Sequence, residues 1–275
     1  YRDVWICIDP AGHIQATGID DAERKQYRYH DSWREFRDRK KFDRLVEFAD
    51  ALPKVRRKVA AILRDAVESG SFSKEVATAA VVRLVDRSAI RIGGRSRLAK
   101  GATTLVGKNV EFAEDRIWLK YRAKGGKRVQ CSLRDARLQK ILEQIDDLQG
   151  ARLFQYLGTD GEVHCLDSGD VNLWLKETSG MDISAKIFRT WHGSVAALDA
   201  VVEAEQPTVK LACEAAAAAL RNTPAVCRKS YVHPAIISLL SDDRAPLSAL
   251  KSKKFHGENG LRKSEMRLLS VIRAD

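Results

Sequence analysis

The sequence has few of the features that place a chain in a membrane, outside the cell or around a metal. No apolar run is long enough to span a bilayer, and the longest bland stretch, Ala215 to Ala219, reads as helix interior. No signal-peptide pattern is visible. The five cysteines, Cys7, Cys131, Cys165, Cys213 and Cys227, are odd in number, scattered and never in a CxxC pair. Neither disulfides nor zinc is expected from them, and His13, His30, His164, His192 and His256 form no metal spacing. A reduced cytoplasmic setting is the expectation. Negative charge is the scarcer sign: 37 Asp and Glu against 48 Lys and Arg leave a formal net charge of +11. That balance favours a polyanionic partner, nucleic acid first and an anionic membrane surface second. With 44% hydrophobic residues over 275 positions, the chain can bury a sizeable core in one or two domains. It opens on Tyr1 rather than Met, inside a strand-like run, as expected of a piece lacking some upstream residues.

The patterning predicts an α+β chain. Val4 to Ile8 and Ile14 to Thr17 read as short strands around the turn-prone Asp9-Pro10-Ala11-Gly12. A polar, aromatic-rich stretch runs from Arg24 to Trp33. From about Phe42 the period becomes helical, through Leu45, Val46, Phe48 and Ala49, and Pro53 is placed to open a further helix. A boundary is expected near residue 38, dividing a small β-rich piece, 1–38, from a larger, mainly helical one, 39–275. Within the larger piece, helices are expected over about 74–85, 135–147, 168–178 (Ser168 as N-cap), 185–204 and through the Ala-rich segment to Leu220. One β excursion interrupts them. Ile117 to Tyr121 alternates, Gly125-Gly126 turns and Arg128 to Cys131 returns, a hairpin with Lys124 and Lys127 at its tip.

Five segments, in order, resemble the catalytic domain of type IB topoisomerases, most closely the short bacterial and poxvirus-like branch. They are Ala89 to Gly94 with Thr104 to Glu111, the hairpin Tyr121 to Gly125, Ala185 to Trp191, Asn222 to Val226, and Arg228 to Tyr231. The likeness runs from about residue 39 to 240, and Arg24 to Tyr29 resembles the end of the family's small N-terminal domain. No single segment is diagnostic; the ordered set carries the resemblance. It implies the fold shared by tyrosine recombinases and type IB topoisomerases. It also implies relaxation of supercoiled duplex DNA through a 3′-phosphotyrosyl link, with no metal, cofactor or ATP, by a monomer associated with the nucleoid.

The resemblance puts Tyr231 in the nucleophile's place. A phenol of pKa about 10 serves as nucleophile when oriented and as a good leaving group on the way back. Arg91 and Arg189 are the implied stabilisers of the charge that builds on the phosphate oxygens, for which a planar, permanently charged fork is well suited. Lys124 is the implied acid for the departing 5′ oxygen, with Lys127 as its rival. Asn222 stands where most of the wider family has His. Asn donates a hydrogen bond but cannot titrate, which makes this position one of electrostatic stabilisation. Its plainer alternative is a helix N-cap ahead of Thr223-Pro224. His233, two residues past Tyr231, reads as a structural histidine ahead of Pro234.

Phosphate contacts are expected from Arg95, Arg97 and Lys100, and from Lys108, Lys186 and Arg228. Tyr27 and Tyr29, flanked by Arg24, Lys25 and Arg28, resemble the family's contact strand in the major groove, so that two pieces would close around the duplex. Any one of these cations taken alone reads equally as a solvated charge. Two rivals stay open. A tyrosine recombinase shares the fold and the covalent step but usually has His three residues before the second arginine, where Lys186 stands. A DNA-binding protein without chemistry would account for the charge but not for the ordered Arg, Lys, Arg, Asn and Tyr.

Overall fold

A computed structural model describes residues 1–70, 72–94, 100–146, 152–241, 243 and 245–274; the side chains of residues 38, 39, 124 and 146 lie outside the description. The chain divides into two compact units, Tyr1–Leu45 and Val46–Asp275.

The first unit opens with β1 (Arg2–Ile6), β2 (Ile14–Ile19) and β3 (Lys25–Tyr29), an antiparallel sheet in the order β1-β2-β3. Both foreseen strands are present with shifted ends, and the polar, aromatic stretch supplies the third. Residues two apart on a strand share a face, so Tyr27 and Tyr29 stack at 6.0 Å. Lys25 lies over the first ring and Arg37 over the second.

Helix α1 (Asp31–Ser69) begins in this unit and continues into the other, with Pro53 inside it. The proline therefore opens no new helix, contrary to the sequence expectation. Its fixed φ is compatible with a helix, and the cost is one lost backbone hydrogen bond and a local clash. Leu45, Phe48, Ala49, Leu52, Val55, Val59 and Leu63 are all buried on either side of it. That unbroken apolar stripe outweighs the lost bond.

In the second unit α2 (Lys74–Ser88) is almost wholly buried, capped by the Ser73 hydroxyl. A three-stranded antiparallel sheet follows, β4 (Val110–Ala113), β5 (Arg116–Arg122) and β6 (Arg128–Leu133), in that order. Ile117, Leu119 and Tyr121 alternate into the core from β5. The foreseen hairpin is thus the β5–β6 pair, with Tyr121 opposite Val129. Then come α3 (Ala136–Asp146), a small hairpin of β7 (Gln155–Leu157) and β8 (Val163–Cys165), and α4 (Ser168–Ser179). Ser168 is the first helical residue and not the cap. Asp167 caps α4, accepting from the Gly169 and Asp170 amides while Asp170 accepts from the Asp167 amide. A carboxylate at this place satisfies two orphan donors and meets the positive end of the helix dipole, which a hydroxyl cannot match.

The centre of the second unit is α5 (Lys186–Glu203), packed on α6 (Val209–Leu220). Phe188 and Trp191 of α5 meet Phe48 of α1 edge-on, at 5.1 and 5.8 Å. Four short helices complete the unit: α7 (Pro224–Ser230), α8 (Pro234–Ser238), α9 (Ala245–Ser252) and α10 (Lys263–Ile272).

A buried ion network ties α10 back to this core. Arg56 of α1 makes paired hydrogen bonds to Asp86 of α2, at 2.9 and 2.8 Å, and to Glu265 of α10, at 2.8 and 2.7 Å. The Trp191 indole donates to Glu265 at 3.2 Å, and His192 stands 3.4 Å from Asp86. Burial by itself would raise both carboxyls. For Asp86, the neighbouring His192 together with the hydrogen bonds and charge of Arg56 outweigh it; for Glu265, Arg56 does so, and both groups sit below their ordinary values.

Groups held low stabilise the fold above the unfolded carboxyl pKa of about 4, and that contribution is lost as pH falls through the folded values. The apparent Tm of the wild type should therefore drop as pH is lowered from neutrality into the acid range. Glu265→Gln leaves Arg56 incompletely paired and should cost about 3–5 kcal/mol at neutral pH, with a shallower acid limb. Thermal unfolding across pH checks both; a Glu265→Gln curve parallel to the wild type would contradict the role given to this carboxylate.

Candidate active site

Three chain reversals at helix ends build the site. At the end of α2 the backbone turns left-handed at Ala89, φ 53°, whose N–H closes on Val85. The turn leads through buried Ile90 to Arg91. The segment after Arg91 is laced to residues 101–104. Ala102 N donates to Arg91 O at 2.8 Å, and Thr103 N to Ile92 O at 2.8 Å. Gly101 is required here, since a Cβ would lie 2.4 to 2.6 Å from backbone atoms of Arg91 and Gly93. The two halves of the first matching segment, 89–94 and 104–111, are in this way one piece of structure. Arg95 and Arg97 lie outside the described residues.

The second reversal ends α6, where Arg221 adopts φ 51°, ψ 54° and Asn222 N donates to Ala217 O at 2.9 Å. An L-residue pays about 1–2 kcal/mol for this conformation, so the side chain needs a reason to be there. The Arg221 guanidinium crosses to α2 and donates to Ser88 O at 2.6 Å. Asn222 accepts from Thr223 N at 3.0 Å, and its Nδ2 is buried without a partner among the described residues. The N-cap of α7 is Thr223, whose hydroxyl accepts from Val226 N. Asn222 is not that cap, and its amide donor is left over. The third reversal ends α7. Tyr231 and Val232 both close on Cys227 O, and the Tyr231 ring turns inward, 8% exposed.

Arg189 joins these ends. Seated by its buried neighbours Phe188, Thr190 and Trp191, it is itself only 3% exposed. One Nη donates to Ala89 O, and the other to Leu220 O at 3.0 Å. The guanidinium carbon lies 5.2 Å from the centre of the Tyr231 ring. Its Nε is buried without a hydrogen-bond partner among the described residues. Burial pushes Arg189 below its ordinary value; the Tyr231 hydroxyl opposes that, and the Arg91 charge adds to it. A guanidinium stays charged at neutral pH even so.

The hairpin reaches the same region. The Lys124 backbone is in the tip, Lys124–Gly126, and its side chain lies outside the description. Burial pushes the Cys227 thiol up to about 11, opposed by the charges of Arg189, Arg91 and Lys127. Burial likewise pushes the Tyr121 phenol up to about 12, against Arg221, Arg189 and Arg91. Arg91, Arg189, Tyr231 and the hairpin residues Tyr121 and Lys127 therefore share one neighbourhood, and Asn222 follows Arg221, which borders it. Lys108, Lys186 and Arg228 are exposed, and Tyr27 and Tyr29 belong to the other unit. His233 caps α8 by accepting from Ala235 N, a structural role. Sequence reasoning passed over Arg221, because a cation after Leu220 reads as an ordinary charge at a helix C-terminus.

The chain belongs to the eukaryotic-type DNA topoisomerase I family: the model of that family's catalytic core, "Eukaryotic DNA topoisomerase I, catalytic core", matches residues 30–238. Residues 1–20 match "Bacterial DNA topoisomerase IB, N-terminal domain", which places the chain among the type IB enzymes. A relative, DNA topoisomerase 1B of Acanthamoeba polyphaga mimivirus, is 28% identical over 251 residues, covering 84% of this chain and 74% of its own length. No helix among the described residues is long and apolar enough to cross a membrane. No cluster of three or more His, Cys, Asp or Glu with the geometry of a metal site occurs among them.

The left-handed turn at Arg221 makes a differential prediction. Arg221→Gly and Arg221→Ala both remove the brace to Ser88, but only glycine adopts φ 51° freely. The glycine variant should be the more stable by about 1 kcal/mol. Denaturant unfolding of the pair measures this, and an alanine variant at least as stable as the glycine one would show that the turn is not held as described.

Proposed function

We propose that the protein relaxes supercoiled duplex DNA by cutting and resealing one strand through Tyr231. The observation that carries this reading is the Arg189 guanidinium, anchored on two helix-end carbonyls beside the Tyr231 ring. Its Nε and the Asn222 Nδ2 are two buried donors with no acceptor among the described residues. Buried donors of this kind are costly unless something accepts from them, and a phosphate's non-bridging oxygens are acceptors of the right charge.

In the cutting step the Tyr231 phenol oxygen bonds to phosphorus, the phenolic proton leaves to solvent, and the bond to the 5′ oxygen breaks. That oxygen takes a proton from a hairpin lysine, Lys124, or Lys127 as its rival. Arg91, Arg189 and Asn222 hold the charge that accumulates on the pentacoordinate phosphate. Resealing runs the same bonds in reverse. The phosphodiester energy is kept in the tyrosyl link, so no ATP is consumed. Between the steps, rotation of the free end relieves torsion.

Lys100, Lys108, Lys186, Arg228, Arg95 and Arg97 would grip the backbone without reading sequence. Tyr27 and Tyr29, with Lys25 and Arg28, would contact the duplex from the N-terminal unit. The enzyme acts as a monomer on the bacterial nucleoid in this reading.

Wild-type protein should relax supercoiled plasmid in EDTA without ATP. Tyr231→Phe should lose relaxation and the covalent adduct while gel-shift binding of DNA persists. Binding without relaxation by the wild type would favour a DNA-binding protein without chemistry. Asn222→Ala should lose on the order of ten- to a thousandfold in cleavage rate, while Asn222→His keeps most of it. Cleavage at the wild-type rate by Asn222→Ala would remove Asn222 from the site.

A further inference from the structure

We propose that Ser194, with Gly193 beside it, is a positioning residue that seats the nucleophile; this rests on the reading of Tyr231 above. Ser194 lies in mid-helix in α5 and is fully buried. A buried helical serine commonly turns its hydroxyl back on the carbonyl four residues earlier. Ser194 instead donates to Tyr231 O at 3.0 Å and accepts from His233 N at 3.1 Å. One hydroxyl therefore holds the chain on both sides of Val232. The Tyr231 carbonyl, left over where α7 ends, would otherwise be an orphan.

Gly193 makes the close approach possible. A Cβ there would lie 3.0 Å from both the Tyr231 Cβ and its carbonyl oxygen, and 2.9 Å from Leu220 Cδ1. The Tyr231 backbone is thus pressed against the bare face of α5, outside regular helix at φ −138°, ψ −14°. With its Cα fixed, the phenol has only its own two side-chain torsions to vary. Gly193 and Ser194 also follow Arg189 by four and five residues, about one turn along the same helix. The cation facing the phosphate and the seat of the attacking phenol are therefore carried by one rigid element. Their separation does not depend on how longer segments pack. In-line attack is sensitive to such placement: a displacement of about 1 Å can cost about a hundredfold in rate.

The test is the time course of covalent adduct formation on supercoiled plasmid, with enzyme in excess and detergent quench, beside plasmid binding and thermal unfolding. Ser194→Ala should form adduct ten- to a hundredfold more slowly, on the order expected for lost orientation, with final adduct yield and plasmid affinity near wild type. A purely structural serine would instead lower the yield, by reducing the fraction of competent enzyme, and leave the rate constant unchanged. That result, or a wild-type rate, overturns the proposal. Should Ser194→Ala not fold, Ser194→Cys decides, since it keeps the volume with a weaker donor. A slowed rate at full yield supports the seat, and a wild-type rate overturns it. Mapping the wild-type adduct keeps the two readings apart. Attachment at a residue other than Tyr231 overturns both, whereas attachment at Tyr231 with an unslowed Ser194 variant overturns the seat alone.

Discussion

The grip of Arg189 on the carbonyls of Ala89 and Leu220 is the contact on which the rest of the site depends. These oxygens lie at the C-terminal ends of α2 and α6, where unpaired carbonyls and the helix dipole concentrate negative character. A buried guanidinium is tolerable because it meets that character at two helix ends at once. In return it fixes the spacing between the segment that leads to Arg91 and the one that leads to Asn222. Arg221 repeats the device in the opposite direction, reaching from the end of α6 to Ser88. Two cations thus cross-brace two helix ends, and the phenol of Tyr231 is packed against one of them.

The same helix is held from behind by charges of the other sign. Trp191 and His192, two and three residues after Arg189, face Glu265 and Asp86, and both carboxylates share Arg56. The C-terminal segment thereby becomes part of the scaffold of α5, although the catalytic-core match ends at residue 238. Buried ion pairs add little net stability against an apolar alternative, but breaking one is expensive, because a charge is left behind. Such a network holds one arrangement of α1, α2, α5 and α10 in preference to others.

Where local chemistry decides an element, the sequence was readable. The hairpin from Ile117 to Cys131 alternates with period two around a Gly-Gly turn, and β5 and β6 follow it. Where a longer-range force competes, it was not. Pro53 reads as a helix start but lies inside α1, because the apolar stripe from Leu45 to Leu63 is buried along its whole length. Ser168 reads as a cap, yet Asp167 takes the place, with the reciprocal bond to Asp170 deciding. Asn222 could be read as a cap or as a donor. Thr223 caps α7 in the folded chain, and that leaves the Asn222 amide over.

By itself, the sequence determined the inventory. An ordered set of Arg, Lys, Arg, Asn and Tyr, with a surplus of cations, follows from residue identity and order alone and needs no packing to be seen. It also determined most helices and the hairpin, since period and turn chemistry are local. Tertiary structure alone decided which atoms meet: the carbonyls that anchor Arg189, the left-handed turn at Arg221, the hydroxyl of Ser194 on the Tyr231 backbone and the return of Glu265 to Arg56. Each joins residues tens to hundreds of positions apart, or depends on where a helix stops. Such pairings are set by how buried surfaces fit together, and no local pattern in the chain encodes them.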